Sequence, residues 1–185
     1  MVQSSGFTSV VVVHCKGAAP EASWYPWLKA QLVSQQIECI VPSFPPEDDS
    51  KLVDWFTVFD TLHIDLSHTA FVAHARGAMA LLRWVDQLPH GVRIPRVVTV
   101  STPFDYQPGR NDADELYATP LDYNDLREKC GEYILIHSAD DPYVPLAASE
   151  ELAAKLDGRL VRYETAGHFG SDKLEAPEII RELIG

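Results

Sequence analysis

The sequence is short of basic residues. It has 15 lysines and arginines against 27 aspartates and glutamates, which gives a formal net charge of −12. A general nucleic-acid-binding protein needs a basic face that replaces the counterions of the phosphate backbone. The charge balance therefore excludes that class of function, although it says little about the fold.

The sequence also lacks long apolar runs. The run Val10–Val13 is a short β-branched segment, whereas a helix that crosses a membrane needs roughly 20 apolar residues. The first residues carry no basic charge before this run, which disfavours a secretory signal. We therefore expect neither a membrane span nor export.

Cysteine is scarce and irregularly spaced. Cys15, Cys39 and Cys130 are odd in number, and no two of them have the spacing of metal ligands. This pattern predicts reduced thiols in a cytoplasmic protein that has neither a metal nor another cofactor. The ordinary hydrophobic content and the length of 185 residues predict one globular domain over residues 1–185.

Apolar and β-branched runs alternate with helical patterns along the whole chain. The predicted strands are Thr8–His14, Glu38–Val41, Ala70–His74, Arg96–Ser101, Tyr133–His137 and Leu160–Tyr163. The predicted helices are Trp24–Gln35, Leu52–Leu62, Ala75–Gln87, Leu146–Leu156 and Ala176–Leu183. Such alternation is typical of an α/β protein in which a parallel sheet is covered by helices on both faces.

The expected architecture is therefore a three-layer sandwich with a parallel six-stranded sheet. Right-handed crossovers that pack neighbouring strands together predict the strand order 2-1-3-4-5-6. Ligands bind such sheets outside the carboxyl ends of the strands, at the switch point between strands 1 and 3. The proline-containing segment Thr102–Asp122 has neither the apolar periodicity of a strand nor that of a helix. We expect a long functional loop there, at the same edge of the sheet.

The segment Phe71–Gly77 has the pattern of a nucleophile elbow. An apolar strand, a short turn and a helix start rich in small residues follow one another, and Ala75 stands at the nucleophile position. In such an elbow a sharp, strained turn lifts one side chain out of the sheet to attack a carbonyl. A methyl group has no lone pair for this attack.

Two further motifs follow later strands. Asp141 lies in Ser138–Pro145 after the fifth strand, and His168 lies in Ala166–Gly170 after the sixth. The order nucleophile position, acid, histidine is that of an α/β-hydrolase, in which the acid orients the imidazole and the imidazole takes the nucleophile's proton. The adjacent Asp140 is the alternative acid.

These motifs resemble those of the retinoblastoma-binding protein nine family of small single-domain serine hydrolases. The resemblance spans nearly the whole chain, and its further pieces are Trp24–Leu28, Tyr117–Pro120, Asp141–Pro145 and Gly167–Phe169. It implies an α/β-hydrolase core without a large lid, with Asp141 and His168 as triad acid and base. It also implies an ancestral activity on a small ester or amide through an acyl-serine intermediate.

The sequence departs from the family pattern at three places. Ala73-His74-Ala75 stands where the family has Gly-His-Ser, and Cys15 occupies a position near the first strand where glycine is expected. The loop that holds Cys15 and the residue after the nucleophile, Arg76, would supply the backbone N–H groups of the oxyanion hole. Ala73, Cys15 and the bulky Arg76 together are typical of a site that no longer needs this hole.

Two interpretations of Ala75 follow. The first is a natural pseudoenzyme, and the second is an active small serine hydrolase that carries an introduced Ser-to-Ala substitution. The competing class is a ligand- or protein-binding module that uses the old pocket or the long loop around Tyr106–Tyr117. A flavodoxin-like nucleotide binder shares the strand order, but no G-x-G-x-x-G loop follows the first strand.

Several side chains near this edge allow two roles. Cys15 is either a displaced nucleophile near His168 or a residue whose backbone alone faces the site. Arg76 at a helix N-terminus suits a carboxylate or phosphate ligand, or it pairs with an acidic neighbour or points to solvent. His14 is either a loop residue of the pocket or simply packed, and His74 is expected to pack in the elbow.

Overall fold

The computed structural model describes residues 6–45, 51–103, 115–117, 119–170 and 172–185. Its strands are β1 (Ser9–Val13), β2 (Glu38–Ile40), β3 (Thr69–His74), β4 (Val97–Val100), β5 (Tyr133–Ser138) and β6 (Arg159–Tyr163). Its α-helices are α1 (Tyr25–Ser34), α2 (Leu52–Thr61), α3 (Arg76–Gln87), α4 (Tyr123–Lys129), α5 (Leu146–Leu156) and α6 (Pro177–Ile184). None of the helices in these ranges is long and apolar enough to cross a membrane.

All six strands are parallel, and their order is β2-β1-β3-β4-β5-β6, which confirms the predicted topology. Val13, the last residue of β1, pairs with Ala73 of β3. The loop that follows β1 and the elbow that follows β3 therefore lie side by side at the carboxyl edge. The loops after β5 and β6 leave the sheet at the same edge because the strands are parallel.

The sheet separates two apolar cores, which confirms the three-layer architecture. Val11, Val13 and Phe71 belong to the core under α2, α3, α4 and α5. Val10 and Val12 belong to the core under α1 and α6. Successive side chains of a strand point to opposite faces, so a strand that is apolar throughout is buried between two layers.

The helix α4 was not predicted from the sequence. Its apolar residues are few, because charged side chains dominate the segment, and so it lacks a clear apolar stripe. Asp122 caps it by accepting hydrogen bonds from the Asn124 and Asp125 amides at 3.0 and 3.1 Å. The predicted long loop also contains a short 3₁₀ turn at Glu115–Tyr117, while residues 104–114 and 118 lie outside the described residues.

Candidate active site

Ala75 adopts the backbone conformation of a strained elbow. Its φ is 49° and its ψ is −124°, between the end of β3 and the start of α3. A non-glycine residue in such a region costs on the order of 1–3 kcal/mol and persists only where its surroundings hold it. Here the Ala75 amide donates to Val100 O at 2.8 Å and its carbonyl accepts from the Ala78 amide at 3.0 Å. The chain therefore keeps the turn that presents a nucleophile, and it presents a methyl group there.

His168 and Asp141 form a close pair. Nδ1 of His168 lies 2.8 Å from Oδ2 of Asp141, whose side chain is completely buried. The other oxygen, Oδ1, accepts hydrogen bonds from the amides of Tyr143 and Val144 at 2.9 and 3.0 Å. Burial opposes ionisation of Asp141, but these hydrogen bonds hold the pKa of its carboxyl below the usual value. The ionised carboxylate thus accepts a hydrogen bond from Nδ1 of the imidazole, and Nε2 is the ring nitrogen that Asp141 does not contact.

The neighbouring Asp140 has a different partner set. Its Oδ1 accepts hydrogen bonds from the Gly167 amide at 2.8 Å and from Ser138 Oγ at 2.5 Å. Ser138 Oγ in turn accepts from the Ala166 amide at 2.8 Å. Asp140 therefore anchors the loop that carries His168, whereas Asp141 contacts the imidazole itself.

The other side of the same loop is held through three consecutive backbone carbonyls. The carbonyls of His168, Phe169 and Gly170 each accept a hydrogen bond from a side chain of the elbow or of the residues around the start of α1. In that order the donor atoms are His74 Nε2 at 2.9 Å, Trp24 Nε1 at 2.9 Å and Ser23 Oγ at 2.8 Å. The position of His168 is therefore fixed by its backbone as well as by Asp141, unlike that of an ordinary surface histidine.

His74 links this loop to the loop after β1. Its Nδ1 accepts a hydrogen bond from the Tyr25 hydroxyl at 2.8 Å, and that hydroxyl accepts from the Cys15 amide at 3.2 Å. His74 is nearly inaccessible to solvent, and burial lowers the pKa of its imidazole to about 4. A neutral imidazole fits both bonds, because one ring nitrogen must accept while the other donates. The expected packing of His74 thus includes a buried hydrogen-bond chain.

This buried hydrogen-bond chain makes the free energy of unfolding depend on pH. The unfolded chain takes up a proton on His74 near pH 6.5, whereas the folded protein does so only near pH 4. Between these values the unfolded state binds more protons, so the free energy of unfolding falls as the pH is lowered. We expect a loss on the order of 3 kcal/mol from His74 between pH 7 and pH 4. Urea unfolding at a series of pH values measures it.

The matched variants for that series are His74→Gln and His63→Gln. A glutamine cannot take up the proton, so His74→Gln should flatten the pH dependence, and His63→Gln makes the same exchange at an exposed position as the control. Burial also lowers the pKa values of His14 and His137, so part of the slope remains in both variants. An unaltered slope in His74→Gln contradicts this explanation.

A pocket of about 550 Å³ opens at the carboxyl edge of the sheet. Ala75 and His168 line it together, and so do Cys15 and Arg76. His14 is fully buried, and its Nε2 accepts a hydrogen bond from the Phe44 amide at 2.9 Å. Its ring contacts those of Phe44 and Trp55, with centroids 5.3 and 6.1 Å away.

Two of the three departures from the family pattern, Arg76 and Cys15, have clear surroundings. The guanidinium of Arg76 lies over the ring of Tyr117, 5.7 Å from its centroid, and the side chain is half-buried. Burial raises the pKa of the Cys15 thiol in spite of a hydrogen bond with Tyr25. A raised pKa reduces the thiolate fraction, which disfavours Cys15 as a displaced nucleophile. Among the described residues no three histidine, cysteine or carboxylate side chains cluster as metal ligands.

Sequence reasoning missed the residues that hold the histidine loop. Ser23, Tyr25 and Ser138 lie far along the chain from His168, and each is an ordinary residue type in its own segment. A signal was present in Trp24-Tyr25, because aromatic residues with polar tips commonly bury a hydrogen-bonding group. The partners of those groups are set only by the packing of α1 against the loop after β6.

Comparisons with known proteins agree with this geometry. Residues 10–177 match the family described as serine hydrolase. YdeN of Bacillus subtilis is 28% identical over 168 residues, which cover 89% of this chain and 87% of that protein. The serine hydrolase RBBP9 of Rattus norvegicus is 28% identical over 180 residues, which cover 94% of this chain and 92% of that protein.

The similarity extends to solved structures. The crystal structure of the B. subtilis YdeN gene product superimposes with a TM-score of 0.85 at 27% identity, over 95% of this chain and 96% of that one. Est1E of Butyrivibrio proteoclasticus shares the fold, with a TM-score of 0.70 at 14% identity over 98% of this chain and 87% of that one. Family match, sheet order and the paired Asp141 and His168 agree, and the chain belongs to the serine hydrolase family.

Proposed function

We propose that the protein is a pseudoenzyme, a serine-hydrolase-like protein that does not hydrolyse substrates through an acyl-serine intermediate. The observation that carries this proposal is Ala75 at the tip of the elbow, where the family chemistry needs a hydroxyl. The imidazole of a serine hydrolase takes its proton from that hydroxyl as the carbonyl is attacked. A methyl group has neither the proton nor the lone pair, so the acyl-enzyme cannot form.

The remaining site supports the same proposal. Asp141 and His168 on their own are limited to orienting a water molecule, which lacks the proximity of a nucleophile fixed in the elbow. The amide of Cys15, in the loop expected to contribute to the oxyanion hole, donates to the Tyr25 hydroxyl within the fold. Any hydrolysis by activated water therefore starts with a weakened oxyanion site.

The proposed role of the protein is to bind a ligand in the pocket that Ala75 and His168 line. The pocket volume of about 550 Å³ lies within the range of roughly 300–1,000 Å³ that small-molecule sites span. A ligand that resembles an acyl ester or amide suits it, since that is the ancestral substrate class. A protein partner at the long loop is the competing proposal.

A cytoplasmic location is also proposed, and the free thiols of Cys15, Cys39 and Cys130 support it.

A fluorophosphonate probe tests the loss of the nucleophile. The protein as sequenced should stay unlabelled, because no activated serine stands at the elbow, while rat RBBP9 serves as the positive control under the same conditions. Intact-protein mass spectrometry measures the adduct. An adduct on Cys15 or on any serine contradicts the proposal and identifies another nucleophile.

A second candidate function is an active serine hydrolase in which the nucleophile was replaced by alanine. The observation that favours it is the intact support of His168, which includes Asp141 and the backbone hydrogen bonds of residues 166–170. The codon at position 75 of the native gene distinguishes the two candidates directly. A serine codon there identifies an active enzyme, and an alanine codon supports the pseudoenzyme.

A further inference from the structure

A second histidine lies close to Asp141. His137 stands near the end of β5, and the side chains of both residues are completely buried. Nε2 of His137 lies 3.6 Å from Oδ2 of Asp141, the same oxygen that Nδ1 of His168 contacts at 2.8 Å. One carboxylate oxygen therefore has two imidazole neighbours, of which only His168 lines the pocket.

The two hydrogen bonds of His137 determine its tautomer. Its Nε2 lies 2.9 Å from the carbonyl oxygen of Val144, and its Nδ1 lies 2.6 Å from Oγ of Ser149. A carbonyl oxygen only accepts hydrogen bonds, so Nε2 of His137 must carry a proton. Burial lowers the pKa of this imidazole, and in the neutral ring Nδ1 accepts from the Ser149 hydroxyl.

Val144 connects His137 to Asp141. A separation of 3.6 Å is too long for a direct hydrogen bond, so the histidine acts on the carboxylate through the backbone. The Val144 carbonyl accepts from His137, and the Val144 amide donates to Oδ1 of Asp141 at 3.0 Å. The turn that holds the acid is thereby fastened to β5 and, through Ser149, to α5.

Asp141 in turn selects the tautomer of His168. An ionised carboxylate only accepts hydrogen bonds, so Nδ1 of His168 carries the proton and Nε2 of the neutral ring is left as an acceptor. In a serine hydrolase this acceptor takes the proton of the nucleophile. The tautomer of His168 therefore depends on where the carboxylate lies.

We infer that His137 is a positioning residue, which holds Asp141 in contact with Nδ1 of His168 by fixing the backbone of Val144. Ser149 assists it, because its hydroxyl holds the other nitrogen of the His137 ring. The role goes beyond the proposed function and is the same in both candidate functions, since neither Asp141 nor His168 changes with the residue at position 75.

A histidine that merely satisfies its own hydrogen bonds would behave differently. Its loss would lower the stability of the protein and leave the tautomer of His168 unchanged. Tyr133 provides the comparison, because it is a buried residue of the same strand and its hydroxyl donates to Leu126 O at 3.0 Å. It lies four residues before His137, on the same face of β5 but at the opposite end.

Nitrogen-15 NMR of the histidine rings tests the inference on the unmodified protein. Protonated and unprotonated ring nitrogens have well-separated chemical shifts, so the spectrum reports each tautomer directly. At mildly alkaline pH, where neutral imidazoles prevail, we expect the Nε2–H form at His137 and the Nδ1–H form at His168. An Nδ1–H form at His137 overturns the inference, because its Nε2 could not then donate to Val144.

Three variants separate positioning from stability. In His137→Leu the ratio of the Nδ1–H form to the Nε2–H form at His168 should fall at least about tenfold, because a hydrogen bond to a charged group is weakened. His137→Gln should restore most of this ratio, since its side-chain amide can donate to the Val144 carbonyl. Tyr133→Phe should lower the thermal unfolding temperature and leave the ratio unchanged.

Two outcomes of the variant series also overturn the inference. They are an unchanged ratio at His168 in a folded His137→Leu, and an equal fall in Tyr133→Phe. If His137→Leu does not fold, the tautomer of His137 in the unmodified protein still decides. Fluorophosphonate labelling of the unmodified protein contradicts the proposed pseudoenzyme instead, so the two failures are distinguishable.

Discussion

Replacing Ala75 by serine is expected to give the protein a reactive nucleophile. The substitution adds a hydroxyl on a backbone that already has the elbow conformation, next to a histidine that Asp141 holds at 2.8 Å. General-base assistance contributes typically 10²–10⁴-fold to a rate, and we expect a rise of about 10²-fold in p-nitrophenyl acetate hydrolysis. The same variant should become labelled by a fluorophosphonate at position 75.

The expected rise is at the low end of that range because of the other departures from the family pattern. The Cys15 amide is engaged by Tyr25, and the bulky Arg76 follows the nucleophile position. Rat RBBP9, assayed alongside, gives the rate of an active family member. Recovery to that rate supports the second candidate, an introduced alanine, whereas partial recovery supports a pseudoenzyme whose site has diverged at several positions.

Two double variants control this experiment. Ala75→Ser with His168→Gln should lose both labelling and hydrolysis, since the base is removed. Ala75→Ser with Asp141→Asn should retain a small part of the activity, because the imidazole then loses the carboxylate that orients it. Activity that persists without His168 contradicts the proposed roles of the pair.

Replacing Gly77 by alanine is expected to destabilise the protein by about 3 kcal/mol or more. A Cβ atom at this position would lie 2.2 Å from the carbonyl oxygen of His14, which is backbone and cannot rotate away. Helix α3 would have to move off the end of β1. Intrinsic helix propensity alone would predict a stabilising effect of this substitution, since alanine is favoured over glycine inside a helix by about 1 kcal/mol.

The matched control is Gly170→Ala. A Cβ atom there has its nearest neighbour, Asp172 Oδ1, at 3.7 Å, which is an ordinary contact. This variant should lie within about 0.5 kcal/mol of the unmodified protein in urea denaturation. Equal stability of the two variants would show that α3 does not press against the loop after β1.

Strand order and motif order were predictable for a physical reason. Parallel strands joined by right-handed crossovers bring their carboxyl ends to one edge, so chain order alone places residues after β3, β5 and β6 near one another. The sheet order follows from that rule, the α/β-hydrolase fold was expected from the order of the motifs and from the family resemblance, and both are confirmed. By contrast, α4 was missed because tertiary packing and the Asp122 cap stabilise a segment that has little apolar periodicity.

Strand and motif order alone did not distinguish Asp140 from Asp141, and the choice of Asp141 rested on the family resemblance. The two carboxylates are adjacent and follow the same strand, and either one suited the motif. The turn at Pro142 directs Asp141 toward the imidazole and two backbone amides, while Asp140 bonds the Gly167 amide. A difference of one residue reverses the direction of a side chain, and only the folded turn determines it.

The sequence by itself determined the fold, the missing nucleophile and the order of acid and histidine, because these depend on local periodicity and residue identity. Tertiary structure decided how His168 is held, since its supports come from Ser23, Trp24 and His74, segments far apart in the chain. It also decided that Lys16 and Arg76 share one pocket with Ala75. Contacts between distant segments depend on how helices pack against the sheet, and no local pattern encodes them.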